Sequence, residues 1–104
     1  MIRLSPPVPW TTAFVAALPQ ASLGAAHLSN LGDWLDAEAF GALLGSLGRA
    51  LAPGAPFCWR ELQVRRELPA ALAEVLTVDR AAGEHLRARD RYPFYRIVPG
   101  RRAG

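Results

Sequence analysis

The chain has 104 residues and is 51% hydrophobic, which suits one small domain with its own core and argues against two domains or extended disorder. All twelve basic residues are arginine and they are unevenly spread: two arginines face three acids in residues 1–59, ten face six in residues 60–104, so the halves carry −1 and +4. No apolar run approaches the roughly 20 residues of a membrane span, and the single cysteine, Cys58, excludes an intramolecular disulfide.

Residues 1–10 are proline-rich and are expected to be irregular. Pro6, Pro7, Pro9 and Pro19 break up the N-terminal apolar stretch, which argues against a secretion signal, so the expected location is the cytoplasm. Thr11 or Thr12 can cap a short helix over 13–18, stopped by Pro19. Residues 25–29 (AAHLS) are a short apolar run bounded by Gly24 and Asn30, too short for a helix and suited to a buried parallel strand. Asp36 caps a helix over 37–52, with Leu35 and Phe40 as a hydrophobic staple. Phe40, Leu43, Leu44, Leu47 and Leu51 recur at helical spacing. Gly41, Gly45 and Gly48 form a second stripe, which would let a neighbour approach closely. Pro53-Gly54 ends this helix.

Residues 55–62 (APFCWREL) read as a second strand, with Phe57, Cys58 and Trp59 as packing residues. Cys58 reads as a buried thiol rather than a nucleophile. Pro69 suits the first turn of a helix over 69–77, and Asp79 a cap for one over 80–88. Residues 91–98 (RYPFYRIV) are aromatic and β-branched and read as a third strand, with Pro93 favouring an edge position or a start beyond it. This divides the chain into a proline-rich segment (1–21), a domain (22–98) and a frayed tail (99–104). Strand, helix, strand, helices, strand is α/β order. In open α/β sheets ligands bind at the carboxyl ends of the strands. Ser29, Asn30 and Asp33 stand at that end of the first strand, Arg60 and Glu61 at that of the second.

The segments HLSNLGDWLD, AEAFGALLGSLGRALAPG and APFCWREL, followed by RARDRYPFY, resemble the carboxyl-terminal half of class I S-adenosylmethionine-dependent transferases. Within that class they are most similar to the S-adenosylmethionine–diacylglycerol 3-amino-3-carboxypropyltransferase family of betaine-lipid synthesis. The resemblance covers about residues 22–98, and the LSN and DR-x-x-FY segments carry most of it. It implies a partial Rossmann-like (class I methyltransferase-like) sheet with flanking helices, the first half of the fold missing, and a final strand antiparallel beside the second. The chain departs from the family in lacking a G-x-G-x-x-G loop and the strands around it; Gly45-Ser46-Leu47-Gly48 lies inside a predicted helix. S-adenosylmethionine is the cofactor implied, and this chain alone is expected to bind it weakly or not at all.

The resemblance also implies roles at matching positions, each with a structural alternative. Ser29 and Asn30 would contact the cofactor's sulfonium side or the acceptor; alternatively they form a strand-end turn bonded to their own backbone. Asp33 would be a catalytic base or orient an acceptor hydroxyl; alternatively it is an acid favoured by a helix N-terminus. Arg60, the second catalytic candidate, needs an anionic partner or an outlet to solvent because it interrupts an apolar strand. Trp34 reads as a core anchor ahead of a stacking surface, Asp90 and Arg91 as an ion pair bracing Arg60 or the adjoining loop, and Tyr95 as substrate or structural support. His27 and His85 are isolated and no metal is expected.

The leading expectation is a partial transferase-like domain whose parent transfers a 3-amino-3-carboxypropyl or methyl group to a lipid or other hydroxyl acceptor. The rivals are a non-catalytic interaction module and one half of a split enzyme. Expected partners are a complementing N-terminal half or a second copy, a two-fold dimer formed through an open edge of the 25–29 strand. Nucleic acid is a poorer partner, because the arginines alternate with acids and no binding motif is visible.

Overall fold

Residues 2–4, 8–89 and 95–104 are described by a computed structural model, 8–11 in backbone only. In chain order the elements are β1 (Ile2–Arg3), α1 (Val8–Ala17), β2 (Ala26–His27), α2 (Leu31–Trp34), α3 (Ala37–Ala50), β3 (Pro56–Glu61), a 3-10 turn (Ala70–Leu72), β4 (Leu76–Val78), α4 (Arg80–Arg87) and β5 (Arg96–Arg102). The strands form one open mixed sheet in the order β1-β2-β3-β5-β4. β1, β2 and β3 are parallel, and β5 runs antiparallel between β3 and β4. The parallel β2–β3 pair joined through a helix is as the sequence order predicts, and the strand antiparallel to β3 is what the resemblance implies.

α3 forms where its pattern places it. The Asp36 carboxylate accepts the Ala39 N–H at 2.8 Å, satisfying one of the N–H groups a helix start leaves open. Its apolar stripe, continued by Leu51, is almost wholly buried. There Phe40 meets Trp59 edge-on at 5.3 Å, and Trp59 lies parallel to Phe57 at 6.1 Å. Alternation along β3 turns Phe57, Trp59 and Glu61 toward this core. The small-residue stripe is used at two of its three positions: a Cβ at Gly41 would meet Pro69, and one at Gly48 would meet Val75 and Leu76, whereas Gly45 faces open space. α4 packs against β5 beyond the end of β4, with Gly83 against the Ile97 carbonyl, and is capped by Asp79 accepting the Ala82 N–H at 2.9 Å.

Four expectations are corrected. Residues 1–10 are not irregular throughout: β1 pairs with β2, the Leu4 N–H reaching the His27 carbonyl at 2.7 Å. The edge of β2 is therefore covered by the chain itself, and the open-edge argument for a dimer loses its ground. α1 begins at Val8 rather than at a Thr11 or Thr12 cap, because Pro9 is well tolerated in a first helical turn. The helix over 69–77 is only a 3-10 turn; Leu76, Thr77 and Val78 instead pair with β5 and bury Leu76 completely. Lastly, the 99–104 tail is not frayed: β5 runs from Arg96 to Arg102, several residues later than predicted. Pro99 is accepted inside it because its carbonyl receives the Asp79 N–H at 2.8 Å. Its nitrogen faces the same side, beyond the end of β4, where no ladder bond is required.

Candidate functional site

The carboxyl ends of β2 and β3 lie side by side. The Leu28 N–H donates to Cys58 O at 2.9 Å and the Arg60 N–H to Ser29 O at 2.7 Å. The chain then turns through Ser29, whose φ of 50° is left-handed, and the Ser29 N–H donates to His27 Nδ1 at 3.0 Å. Asn30 stands at the N-cap of α2 without a side-chain capping bond. Ser29 and Asn30 thus turn the chain at the carboxyl end of β2.

Asp33 reaches from α2 to the loop after β3. Its carboxylate accepts the N–H groups of Leu62 (3.0 Å), Gln63 (3.0 Å) and Val64 (2.9 Å). Three amides on one carboxylate make it a latch for this loop. Trp34 is not a core anchor: α2 is a single turn, and its last side chain points outward, 64% exposed.

On the sheet face away from α3, alternation places His27, Cys58 and Arg60 together, His27 directly beside Cys58 in the β2–β3 register. The Arg60 guanidinium lies 5.7 Å from the Tyr95 ring centre, a cation–π contact that joins two of the predicted residues. Burial, with Arg3 and Arg60 nearby, lowers the His27 pKa, so the imidazole stays neutral with Nδ1 as acceptor. Cys58 is half-buried rather than in the core, and burial raises its pKa against the opposing influence of Arg60. A thiol held protonated is a poor nucleophile. Asp90 and Arg91 lie outside the described residues.

The most highly organised group is centred on Glu61, 1% exposed at the end of β3. Its Oε1 accepts Arg80 Nη1 at 3.0 Å and Arg96 Nε at 3.2 Å. Its Oε2 accepts the Arg66 N–H at 2.7 Å, Trp59 Nε1 at 3.1 Å and Arg80 Nη2 at 3.2 Å. Burial alone would raise its pKa; hydrogen bonds from Arg80, the Arg66 amide, Trp59 and Arg96 outweigh this and hold it at about 2. The Arg66 side chain in turn donates to the carbonyls of Gly32 (3.1 Å) and Leu35 (2.8 Å), tying the Glu61 cluster to α2.

The sequence marks Glu61 at the strand end without assigning it a role, and nothing local in it points to Arg66, Arg80 or Arg96. One signal was available: in β3 the side chain of Glu61 shares a face with Phe57 and Trp59, so an acid on the core side demanded cationic partners. The identity of those partners, 5 to 35 positions away in sequence, carried no local signal. Among the described residues, no group of three His, Cys, Asp or Glu is arranged to hold a metal, and no helix is long and apolar enough to cross a membrane. No family model matches the chain, and no curated protein matches it in sequence.

Proposed function

We propose that the chain is the carboxyl-terminal, acceptor-side half of an S-adenosylmethionine-dependent transferase-like domain, whose parent activity is 3-amino-3-carboxypropyl or methyl transfer to a lipid or other hydroxyl acceptor. The observation that carries this reading is the strand arrangement: parallel β2 and β3 with an antiparallel β5 inserted between β3 and β4. Ser29 and Asn30 stand at the carboxyl end of β2 beside Arg60, which supports this reading. The chain's own residues do not complete a seat for the cofactor. β1 leads into Leu4-Ser5-Pro6-Pro7 rather than a glycine-rich turn, and no acidic residue follows in the first 32 positions to hold a ribose. Transfer therefore needs a complementing segment.

The test is amide NMR of the chain titrated with S-adenosylmethionine and with S-adenosylhomocysteine. Half a seat should bind at about millimolar, roughly −4 kcal/mol, with shifts confined to residues 29–33 and 60–62. Saturable shifts centred away from these residues, or a low-micromolar dissociation constant, roughly −8 kcal/mol, would overturn the reading. One observation favours the alternative of a non-catalytic module: the Asp33 carboxylate, the candidate base, is engaged by three amides. On that alternative, a lysate fraction or second polypeptide would restore no transfer, and Asp33→Asn would alter loop order alone.

A further inference from the structure

We propose that Arg96 is an anion-binding arm, held in place by Glu61 and presenting its guanidinium fork to the carboxylate or phosphate group of a small-molecule ligand. This inference is independent of the transferase reading.

Three arginines surround one buried carboxylate, and their uses differ. Arg80 grips Glu61 with both terminal nitrogens and spends a further donor on the Arg66 carbonyl at 2.8 Å. The Arg66 side chain is spent on the carbonyls of Gly32 and Leu35. With the Arg66 amide and the Trp59 indole also in place, Glu61 already has four donors, about as many as a carboxylate's lone pairs accept. Arg96 is therefore surplus to satisfying Glu61. It attaches through Nε alone, at 3.2 Å, and its side chain is 39% exposed. Among the described residues, its terminal nitrogens Nη1 and Nη2 have no hydrogen-bond partner.

That arrangement fits a ligand arm better than a structural one. An Nε anchor fixes the plane of the guanidinium while leaving the Nη pair as a two-pronged donor, the geometry that grips a carboxylate or phosphate bidentately. The charge has the right sign: Arg66, Arg80 and Arg96 against Glu61 leave the cluster at +2. Among the described residues, Glu67 also acts on Arg80, and it is itself paired with Arg65 at 2.6 Å. The position is also suitable. Arg96 is the first residue of β5, level with Glu61 in register, at the carboxyl end of β3 where open sheets bind ligands.

The experiment follows arginine Nε–H signals by NMR while the chain is titrated with inorganic phosphate or with acetate, against sodium chloride at equal ionic strength. The Arg96 signal is expected to shift saturably, with the exposed Arg65 signal following chloride only. Arg96→Lys keeps the charge but loses the fork, and should weaken binding about tenfold, the worth of one hydrogen bond to a charged group. Arg96→Gln should abolish saturation, and Arg65→Gln should leave it unchanged. Response to phosphate alone, acetate alone or both supports the proposal and distinguishes the ligand's anionic group. No saturation with either anion, shifts matched by chloride, or wild-type affinity in the Arg96→Lys variant would overturn it.

Discussion

Gly83→Ala sets two effects of opposite sign against each other. Gly83 lies in the middle of α4, where alanine is the better helix former by about 1 kcal/mol. A helix that merely rested on solvent would be stabilised by the change. In this fold a Cβ at Gly83 would sit 1.9 Å from the Ile97 carbonyl oxygen, 3.0 Å from the Ile97 carbonyl carbon and 3.1 Å from Pro99 Cδ. The obstacle is strand backbone, which cannot rotate aside. To restore an ordinary 3.4 Å contact, α4 would have to retreat from β5 by about 1.5 Å. Such a retreat also pulls on Arg80, the first residue of α4, and on its bonds to Glu61 at 3.0 and 3.2 Å. Overpacking alone costs about 1–3 kcal/mol, and loosening the buried ion pair adds to it. The expected net loss is about 2–4 kcal/mol, a fall in Tm on the order of 10–20 °C for a domain of this size. Thermal melts followed by circular dichroism measure it, with Gly45→Ala as the internal control: Gly45 is also mid-helix but meets nothing within 4 Å. That control should gain about 0.5–1 kcal/mol. If Gly83→Ala melts at or above the wild-type temperature while Gly45→Ala behaves as expected, α4 does not lie on β5 as described.

Stability should fall in acid through Glu61. Its folded pKa of about 2 lies below its ordinary value of 4.5, so the stabilisation is fully present above about pH 4.5 and is lost as pH drops toward 2. The shift corresponds to about 3 kcal/mol; urea unfolding between pH 6 and 2.5 reads it, and Glu61→Gln, which leaves Arg80 and Arg96 without their counter-charge, should flatten the profile while lowering stability at pH 6 by about 3–5 kcal/mol. Asp33→Ala should release the loop after β3 at a cost of about 1–3 kcal/mol, with hydrogen exchange accelerating at the Leu62, Gln63 and Val64 amides; unchanged exchange there would mean the latch is not closed. Removing residues 1–4 should uncover β2 and make sedimentation concentration-dependent, whereas the full chain should sediment as one species over the same range.

Local chemistry was enough to define the elements whose reasons are local. α3, with its Asp36 cap and leucine stripe, and α4, with its Asp79 cap, were legible because spacing and capping act within a few residues. The apolar runs around Ala26 and Phe57 were legible as strands, and their order along the chain was enough to place them as parallel neighbours. So were the positions of Ser29, Asn30 and Arg60 at the strand ends. Tertiary structure decided what pairing partners decide. Leu76, Thr77 and Val78 become a strand only because β5 is there to receive them, and Pro99-Gly100 lies within a strand only because β3 and β4 flank it. Residues 2–3 cover an edge of β2 that composition could not reveal. Most of all, the uses of the charges were set in three dimensions. Asp33 is a loop latch because three amides about 30 residues away converge on it. Glu61 is an ionised core acid because the guanidinium groups of Arg80 and Arg96 and the Arg66 amide reach it from separate segments, and hydrogen bonds between such distant positions leave no periodicity in the sequence.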